Sequence, residues 1–498
     1  MPNILAYLVL GLWPLVLFAL FRALPPGRAL IWSVLLSYLI LPPYPMEFDF
    51  PLLPSMNKTT IPNVMALILA VKVAKHKINW LPETRIGKVL ALMFVLAPLP
   101  TVLTNGEPIV FAMDAIRGLY TQDIFAMMVT QVMLLANFIL ARQLLTTEKD
   151  LRDLLLAIVI AGTAYTLPML IEVRLSPQIN IWVYGYFQHM FDQVIRAGGY
   201  RPLVFLEHGI WASMLVMMTL TATVILIKNT EGVLRQRLII LAWFLGGMLV
   251  LTKTLSMLIY GLFMVSMVLF ATTRMQARAA VLLAVLALAY PTAKGLDLIP
   301  EERILALAEK ASADRAQSLE FRFSNEEELL ERAALKPWFG WGIWGRNQIH
   351  DPITGRQLSV TDGRWILVLG MMGWLGFFGE FGLLVLPIFM IYRASKPPEE
   401  PPVWTRRQHA IREELDKVLP ANGPQRGTAS AMSVSLALLL AVNTVDLLPN
   451  ATLTTLTWLI AGALLGYAER VLGYAKPAEE PEAQLSIDPL PRRARTVL

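Results

Sequence analysis

The sequence predicts an all-α, polytopic membrane protein with roughly 13 transmembrane helices (about 12–14) and one large helical loop outside the membrane. Of its 498 residues, 56% are hydrophobic and only 16% are charged, whereas a soluble domain has about 25% charged residues. The apolar residues fall in long runs almost without charge, such as 4–21 and 203–227. About 20 such residues cross the bilayer core as a helix. The chain has no cysteine, which excludes disulfides, thiolate catalysis and cysteine-bound metals.

The apolar runs divide the chain into helices, one long loop and two polar segments. The predicted spans are 4–21, 29–44, 61–74, 87–104, 122–142, 151–171, 202–227, 237–252, 254–272, 279–293, 365–392, 429–447 and 452–469. The predicted organisation is transmembrane helices 1–10 over 1–293, the large loop 294–364, helix 11 over 365–392, a linker 393–428, helices 12–13 over 429–470 and a disordered tail 471–498. A loop as long as 294–364 exceeds a simple connector.

The basic residues predict the orientation. With the N-terminus outside, 27 of the 43 Lys and Arg residues lie on the cytoplasmic side and 16 on the other, ten of those in 294–364. Long loops do not count in the positive-inside rule. The rule therefore predicts a cytoplasmic C-terminus and a large loop on the opposite side. It also accounts for the net charge of +6 without nucleic-acid binding.

Two outer segments have predicted local structure. The large loop contains amphipathic helices over about 301–320 and 325–335, the second opening with the capping-box pattern Ser324-x-x-Glu327. Residues 179–195 are rich in aromatic side chains, which predicts a helix lying in the membrane interface.

The segment 198–211 (GGYRPLVFLEHGIW) is the first candidate site. Pro202 suits the first turn of a helix, which places Arg201 at its start. His208 follows about two turns later and is expected on nearly the same face, deeper in the bilayer. The alternative is that Arg201 is an interfacial anchor and His208 a satisfied core residue.

The large loop is the second candidate, because cations and tryptophans alternate along it. They are Arg315, Arg322, Arg332, Lys336, Arg346, Arg356, Arg364, Trp338, Trp341, Trp344 and Trp365. Guanidinium groups and flat aromatic faces suit a ligand that bears phosphate and sugar rings. The alternative is a salt-bridged cap anchored by tryptophan, since Glu326, Glu327, Glu328 and Glu331 are available as partners.

The third candidate is residues 361–384, where the chain re-enters the membrane after Asp362. Its glycines recur every three residues along one side of the predicted helix, at Gly370, Gly373, Gly376 and Gly379. This spacing favours close helix packing. Glu380 lies deep in the apolar run and requires a partner.

These motifs together resemble the O-antigen ligase / Wzy-type polysaccharide polymerase superfamily, whose members are GT-C-like enzymes acting on lipid-linked glycans. The resemblance rests on Arg322, on Pro337-x-x-Gly340-x-Gly342 and on residues 362–376 (DGRWILVLGMMGWLG). Arg201 before an apolar helix is similar to the family's other functional arginine, and residues 251–254 (LTKT) occupy the place of its L-[ST]-x-S-[RK] segment. Asp362 stands where the ligases carry a catalytic His, which favours a polymerase.

The resemblance implies transfer of oligosaccharide repeat units carried on undecaprenyl pyrophosphate, at the periplasmic face of a bacterial inner membrane, with no metal and no cofactor. Membrane lipid and a chain-length regulator are the other implied partners, and nucleic acid is not one. The implied catalytic residues are Asp362 (first choice of base), His208 (second choice) and Arg322. The implied substrate-binding residues are Arg201, Arg315, Lys253, Arg364, Trp338, Trp341 and Trp365.

Other functions remain open on the sequence. An O-antigen ligase differs only in its acceptor, and a lipid-linked oligosaccharide flippase or transporter would line a path with charges. A structural subunit of an assembly complex would use the arginines for assembly alone. Glu47-x-Asp49 is a carboxylate pair of the kind that holds Mg²⁺ or Mn²⁺ in other lipid-donor glycosyltransferases.

Overall fold

The computed structural model describes residues 1–50, 54–196, 198–311, 313–396 and 427–474, without the side chains of 311–315. The described residues are 69% helical with almost no sheet, which confirms the all-α prediction. Most of the predicted linker and of the predicted disordered tail lies outside the described residues.

The helices follow the apolar runs closely. They are α1 (Ile4–Ala23), α2 (Pro26–Ile40), α3 (Thr60–Lys72), α4 (Arg85–Leu96), α5 (Pro98–Leu103), α6 (Thr121–Leu144), α7 (Glu148–Leu175), α8 (Ile179–Tyr184), α9 (Gly209–Lys228), α10 (Gly232–Leu251), α11 (Leu255–Phe270), α12 (Thr273–Gly295), α13 (Glu301–Ala311), α14 (Ala313–Ala334), α15 (Arg364–Ala394), α16 (Ala431–Asp446) and α17 (Thr455–Val471). Two antiparallel pairs of two-residue strands complete the described structure, β1 (Ile109–Val110) with β2 (Ala115–Ile116) and β3 (Ile195–Arg196) with β4 (Gly199–Tyr200).

A helix coincides with each predicted span. In the described chain, 8 helices are long and apolar enough to cross a membrane. They are α1, α4 with α5, α6, α7, α9, α10, α12 and α15. Four shorter apolar helices, α2, α3, α11 and α16, lie among them. The long apolar helices indicate a multi-pass membrane protein, and the count of thirteen spans stays a prediction.

Helix α9 lies at the centre of the bundle. Its residues from Ala212 to Ile227 are all buried, as expected for a helix that is apolar on every side. It packs against α7, α10 and α11. Helix α10 instead exposes apolar side chains such as Trp243 and Ile240, which suits contact with lipid. The first turn of α9 therefore stands inside the bundle, where it positions the candidate site.

Helix α15 is broken at Gly373, whose φ of 62° and ψ of −163° are not helical. The turn formed by residues 337–342 enters the gap. On one side of the break, the amides of Trp374 and Leu375 donate to the carbonyls of 337 and 338 at 2.8 and 3.2 Å. On the other side, the amides of 341 and 342 donate to the carbonyls of Gly370 and Met371 at 2.9 and 2.8 Å. The inserted turn therefore satisfies backbone groups that the broken helix leaves free.

The two halves of α15 fold back on each other. The guanidinium of Arg364 binds Glu380 through two hydrogen bonds of 2.7 Å. These residues are 16 positions apart, which is about 24 Å in a continuous helix. The predicted uninterrupted helix over 365–392, with a row of glycines on one side, is therefore wrong. Glu380 has the partner that it was expected to require.

Each glycine at the break has its own close contact. A Cβ on Gly340 would lie 2.5 Å from the carbonyl carbon of Met371, and one on Gly373 would overlap the backbone of Trp338. Further along, a Cβ on Gly379 would lie 2.7 Å from the backbone nitrogen of Phe94 in α4. The glycines thus permit backbone contacts with two different partners.

Two predicted outer helices differ from the structure. Ser324 lies inside α14, so it caps nothing, and the predicted break between 320 and 325 does not occur. Residues 313–323 contain no glycine or proline that would end a helix there. The interfacial helix predicted over 179–195 is only the short α8, because Gly185 ends it in the left-handed conformation with φ 84°.

Candidate functional site

The segment before α9 is not helical. The carboxylate of Glu172 in α7 accepts hydrogen bonds from the amides of Leu203 and Val204 at 2.7 and 2.8 Å, and the hydroxyl of Tyr165 accepts from the next amide at 2.9 Å. Val204 has a positive φ of 56°, and α9 begins only at Gly209. The predicted helix start at Pro202, and with it the two-turn spacing of Arg201 and His208, is therefore wrong.

Arg201 and His208 nevertheless lie close together, because the segment curls back to the start of α9. The Arg201 side chain lies against Gly209, where an added Cβ would come within 3.1 Å of it. Its Nη2 donates to the backbone oxygen of Lys253 at 3.3 Å. Its Nε is buried, with no hydrogen-bond partner in the described part of the chain. A buried guanidinium N–H in this state is available to an incoming acceptor.

Arg322 and Asp362 reach the same place from α14 and from the segment before α15. Nε of Arg322 lies 3.6 Å from Oδ2 of Asp362, and both side chains are 31% exposed. Nη1 of Arg322 also donates to the backbone oxygen of Pro449 at 3.5 Å. Both contacts are longer than a tight charged hydrogen bond, so part of the guanidinium remains available to a ligand.

Two further cations complete the group. The hairpin of β3 and β4 brings Arg196 toward Arg201, with Gly198 in the left-handed conformation at its tip. The amine of Lys253 lies directly beside Gly199. We call Arg196, Arg201, Lys253 and Arg322 the basic cluster. Burial, followed by the charges of Arg196 and Arg322, lowers the pKa of Arg201 to about 10.

His208 is held as a neutral hydrogen-bond donor. Its Nδ1 accepts from the amide of Ile210 at 2.9 Å, which leaves the ring proton on Nε2. Burial, then the nearby His189, Arg201 and Arg322, lower the pKa of His208 to about 3. An Nε2–H can donate a hydrogen bond but cannot accept a proton. The geometry thus disfavours His208 as a base.

Asp362 has the opposite properties. Burial raises the pKa of its carboxyl group, and the charge of Arg322 opposes that shift. A carboxylate whose pKa is raised is a stronger proton acceptor. Within the group, Asp362 is the residue suited to accept a proton.

Neither a family model nor a curated protein matches this sequence. The residues and the geometry of the basic cluster are therefore the features that indicate a function.

Several predicted substrate-binding residues have partners elsewhere. Trp341 lies between Arg332 and Lys336, whose cations are 4.2 and 4.6 Å from its ring centroid. Trp365 is fully buried, with its Nε1 3.4 Å from Glu326. These contacts agree with the alternative prediction, a salt-bridged cap anchored by tryptophan.

The remaining predicted residues are spread over three places. Trp338 is 66% exposed at the break in α15, and the guanidinium of Arg364 pairs with Glu380 instead of joining the basic cluster. The side chain of Arg315 lies outside the described residues. The structure thus brings together Arg201, His208, Lys253, Arg322 and Asp362, and does not add the tryptophans to them.

Sequence reasoning missed Arg196, His189 and Asp446. The ring of His189 lies 4.7 Å from that of His208. Asp446 accepts from Asn450 and Thr452 at 2.9 and 2.6 Å, which orders the turn whose carbonyl meets Arg322. A Gly-Gly pair between two arginines is a hairpin signal that would have revealed Arg196. No comparable signal marks the other two.

The carboxylate pair considered for a metal has a local partner. Asp49 accepts from the hydroxyl of Ser55 at 2.6 Å. Among the residues that the structure describes, no three His, Asp or Glu side chains are grouped as metal ligands.

Proposed function

We propose that the protein is a GT-C-like glycosyltransferase that polymerises oligosaccharide repeat units carried on undecaprenyl pyrophosphate, at the periplasmic face of the bacterial inner membrane. The observation that carries the proposal is the basic cluster. Its cations come from the hairpin before α9, the junction of α10 and α11, and α14, where Arg322 lies beside Asp362. Segments so distant in sequence converge on one small group of charges, which suits a polyanionic ligand.

The basic cluster suits the pyrophosphate of the donor. When the sugar–oxygen bond breaks, the electron pair goes to the departing pyrophosphate, and preorganised cations lower the energy of that charge. Arg201 offers a buried Nε that has no hydrogen-bond partner among the described residues. Arg322 forms only a long ion pair with Asp362, at 3.6 Å. Planar guanidinium groups can each bind two phosphate oxygens.

Asp362 suits the acceptor. The acceptor hydroxyl oxygen forms a bond to the anomeric carbon of the donor sugar, and its proton passes to the Asp362 carboxylate. The Nε2–H of His208 can donate to a sugar or phosphate oxygen in the same reaction. The product is a glycan longer by one donor chain, together with undecaprenyl pyrophosphate.

A transporter or flippase is supported less well. Such a protein requires polar groups along a path through the membrane. Here four cationic groups are gathered in the basic cluster, while the buried Arg364 and Glu380 neutralise each other.

The test is the loss of polymer in variants of the basic cluster. Arg201→Ala and Arg322→Ala should each abolish the polysaccharide ladder in complemented cells. Both purified variants should bind labelled undecaprenyl pyrophosphate at least tenfold more weakly than the wild type. The matched control is Arg303→Ala, an exposed arginine of α13, with membrane abundance measured for every variant. Ladders of normal length in both cluster variants would overturn the proposal.

A further inference from the structure

A cavity lies at the first turns of α9, α15 and α17. Its volume is about 100 Å³. It is formed where the loops before α3 and α9 meet α2, α6 and the first turns of α15 and α17. Its principal lining residues are Tyr38, Lys58, Glu207, Trp211, Arg364 and Trp458. None of these belongs to the basic cluster.

The cavity has one uncommitted carboxylate. Lys58 is directed to the backbone oxygen of Phe205 at 2.9 Å, and Arg364 is bound by Glu380. Glu207 has no hydrogen bond or ion pair within the described ranges. The lining combines these charged groups with apolar side chains such as Leu134 and Leu453. It therefore suits a ligand that has both a polar and an apolar surface rather than a lipid tail.

The aromatic residues define the shape of the ligand. The rings of Tyr38 and Trp211 stack with 6.5 Å between centroids, and Trp458 closes another side. The hydroxyl groups of Thr59, Thr454 and Thr455 add donors and acceptors. Flat apolar faces beside a carboxylate and hydroxyls match a sugar ring, which has an apolar face and a polar edge.

Two chain segments connect the lining of this cavity to the candidate site. Glu207 immediately precedes His208, and Arg364 lies two residues after Asp362. A molecule in the cavity is therefore adjacent to the proposed base and to the proposed pyrophosphate site.

We infer that the cavity binds one pyranose ring of the acceptor glycan, with Glu207 accepting hydrogen bonds from its hydroxyl groups. The description of this sugar as the acceptor rests on the proposed function, whereas sugar binding itself rests on the cavity. A volume of about 100 Å³ has room for a few water molecules. The polar edge of the sugar ring therefore enters the cavity, and the rest of the ring stays outside it.

The experiment uses the full chain in nanodiscs and simple sugars as probes. Saturation-transfer NMR is recorded with methyl pyranosides of a hexose, a 6-deoxyhexose, an N-acetylhexosamine and a uronic acid. At least one should bind saturably, and Glu207→Gln should weaken that binding tenfold or more. Glu207→Asp, which keeps the charge, should weaken it less. Glu302→Gln, an exposed residue of α13, is the matched control and should bind as the wild type does.

The outcomes separate this inference from the proposed function. Arg322→Ala should keep the pyranoside signal and lose binding of undecaprenyl pyrophosphate. Pyranoside binding without any undecaprenyl pyrophosphate binding by the wild type would remove the proposed function and leave the sugar site. Failure of all four pyranosides to bind, or binding that Glu207→Gln leaves unchanged in a variant with normal thermal unfolding, overturns the inference.

Discussion

At the scale of single residues, Asp362 and His208 share one group of charges but have opposite proton chemistry. The backbone amide of Ile210 fixes the tautomer of His208, and burial together with the neighbouring cations keeps its ring neutral. Burial raises the pKa of Asp362, and the charge of Arg322 opposes that shift. Position relative to backbone donors and to cations, rather than residue type alone, divides the roles of donor and base.

Asp362→Asn should reduce glycan transfer by about 10² or more, because a positioned base contributes roughly 10²–10⁴ to such a step. In the wild type, the rate should fall as acidification protonates Asp362. Since burial raises this pKa, the fall should begin above the ordinary carboxyl range of about 4. Initial rates between about pH 4 and 8 measure it.

The matched control for that variant is Asp297→Asn, an exposed residue near the start of the large loop. It should keep both the rate and the acid limb of the wild type. An Asp362→Asn enzyme with a wild-type rate and an unchanged acid limb would exclude Asp362 as the base.

The sequence was informative about some of these residues and silent on others. Arg322 and Asp362 stand in local motifs, so their importance could be predicted. The folding back of residues 202–207, which brings Arg201 beside His208, could not be predicted from local sequence. It depends on Glu172, a side chain of another helix that accepts hydrogen bonds from the amides of Leu203 and Val204.

At the scale of elements, the break in α15 joins the large loop over 294–364 to the apolar helices. Both broken ends form hydrogen bonds to the turn over 337–342, so the loop and the helix have one shared structure. Asp362 and Arg364 lie just before and at the start of the first half of α15. The break therefore sets the position of the proposed base.

Gly340→Ala and Gly373→Ala should each lower thermal stability by several degrees in detergent. A methyl group at either position overlaps backbone atoms, and both residues have positive φ. Gly246→Ala is the matched control, since nothing lies within 4 Å of its added Cβ in α10. That change should be neutral or stabilising by up to about 1 kcal/mol. Equal melting temperatures for all three variants would contradict this account of the break.

Element positions were predictable to different degrees. A helix was predicted at every apolar run that contains one, because hydrophobic length is a local property. The break in α15 was not predicted, since its partner turn lies about thirty residues earlier and glycine spacing alone also fits an unbroken helix. Likewise, α14 begins before Ser324 and continues through it. A capping pattern does not start a new helix where no glycine or proline ends the preceding one.

At the scale of the whole molecule, orientation is the property that the basic residues predict and that the fold leaves open. The chain has no cysteine, so a single introduced cysteine reports its own side of the membrane. Leu307→Cys in α13 is exposed and should react with an impermeant maleimide in intact spheroplasts. Glu231→Cys, between α9 and α10, should react only after permeabilisation. The reverse pattern would invert the predicted topology.

The break in α15 also limits how the protein is made. In lipid, an unpaired backbone amide or carbonyl costs several kcal/mol. The carbonyls of Gly370 and Met371 and the amides of Trp374 and Leu375 pair with the 337–342 turn. That turn is synthesised before α15. The part of the large loop that carries the turn must therefore be folded by the time α15 settles, so α15 does not enter the membrane as an independent helix.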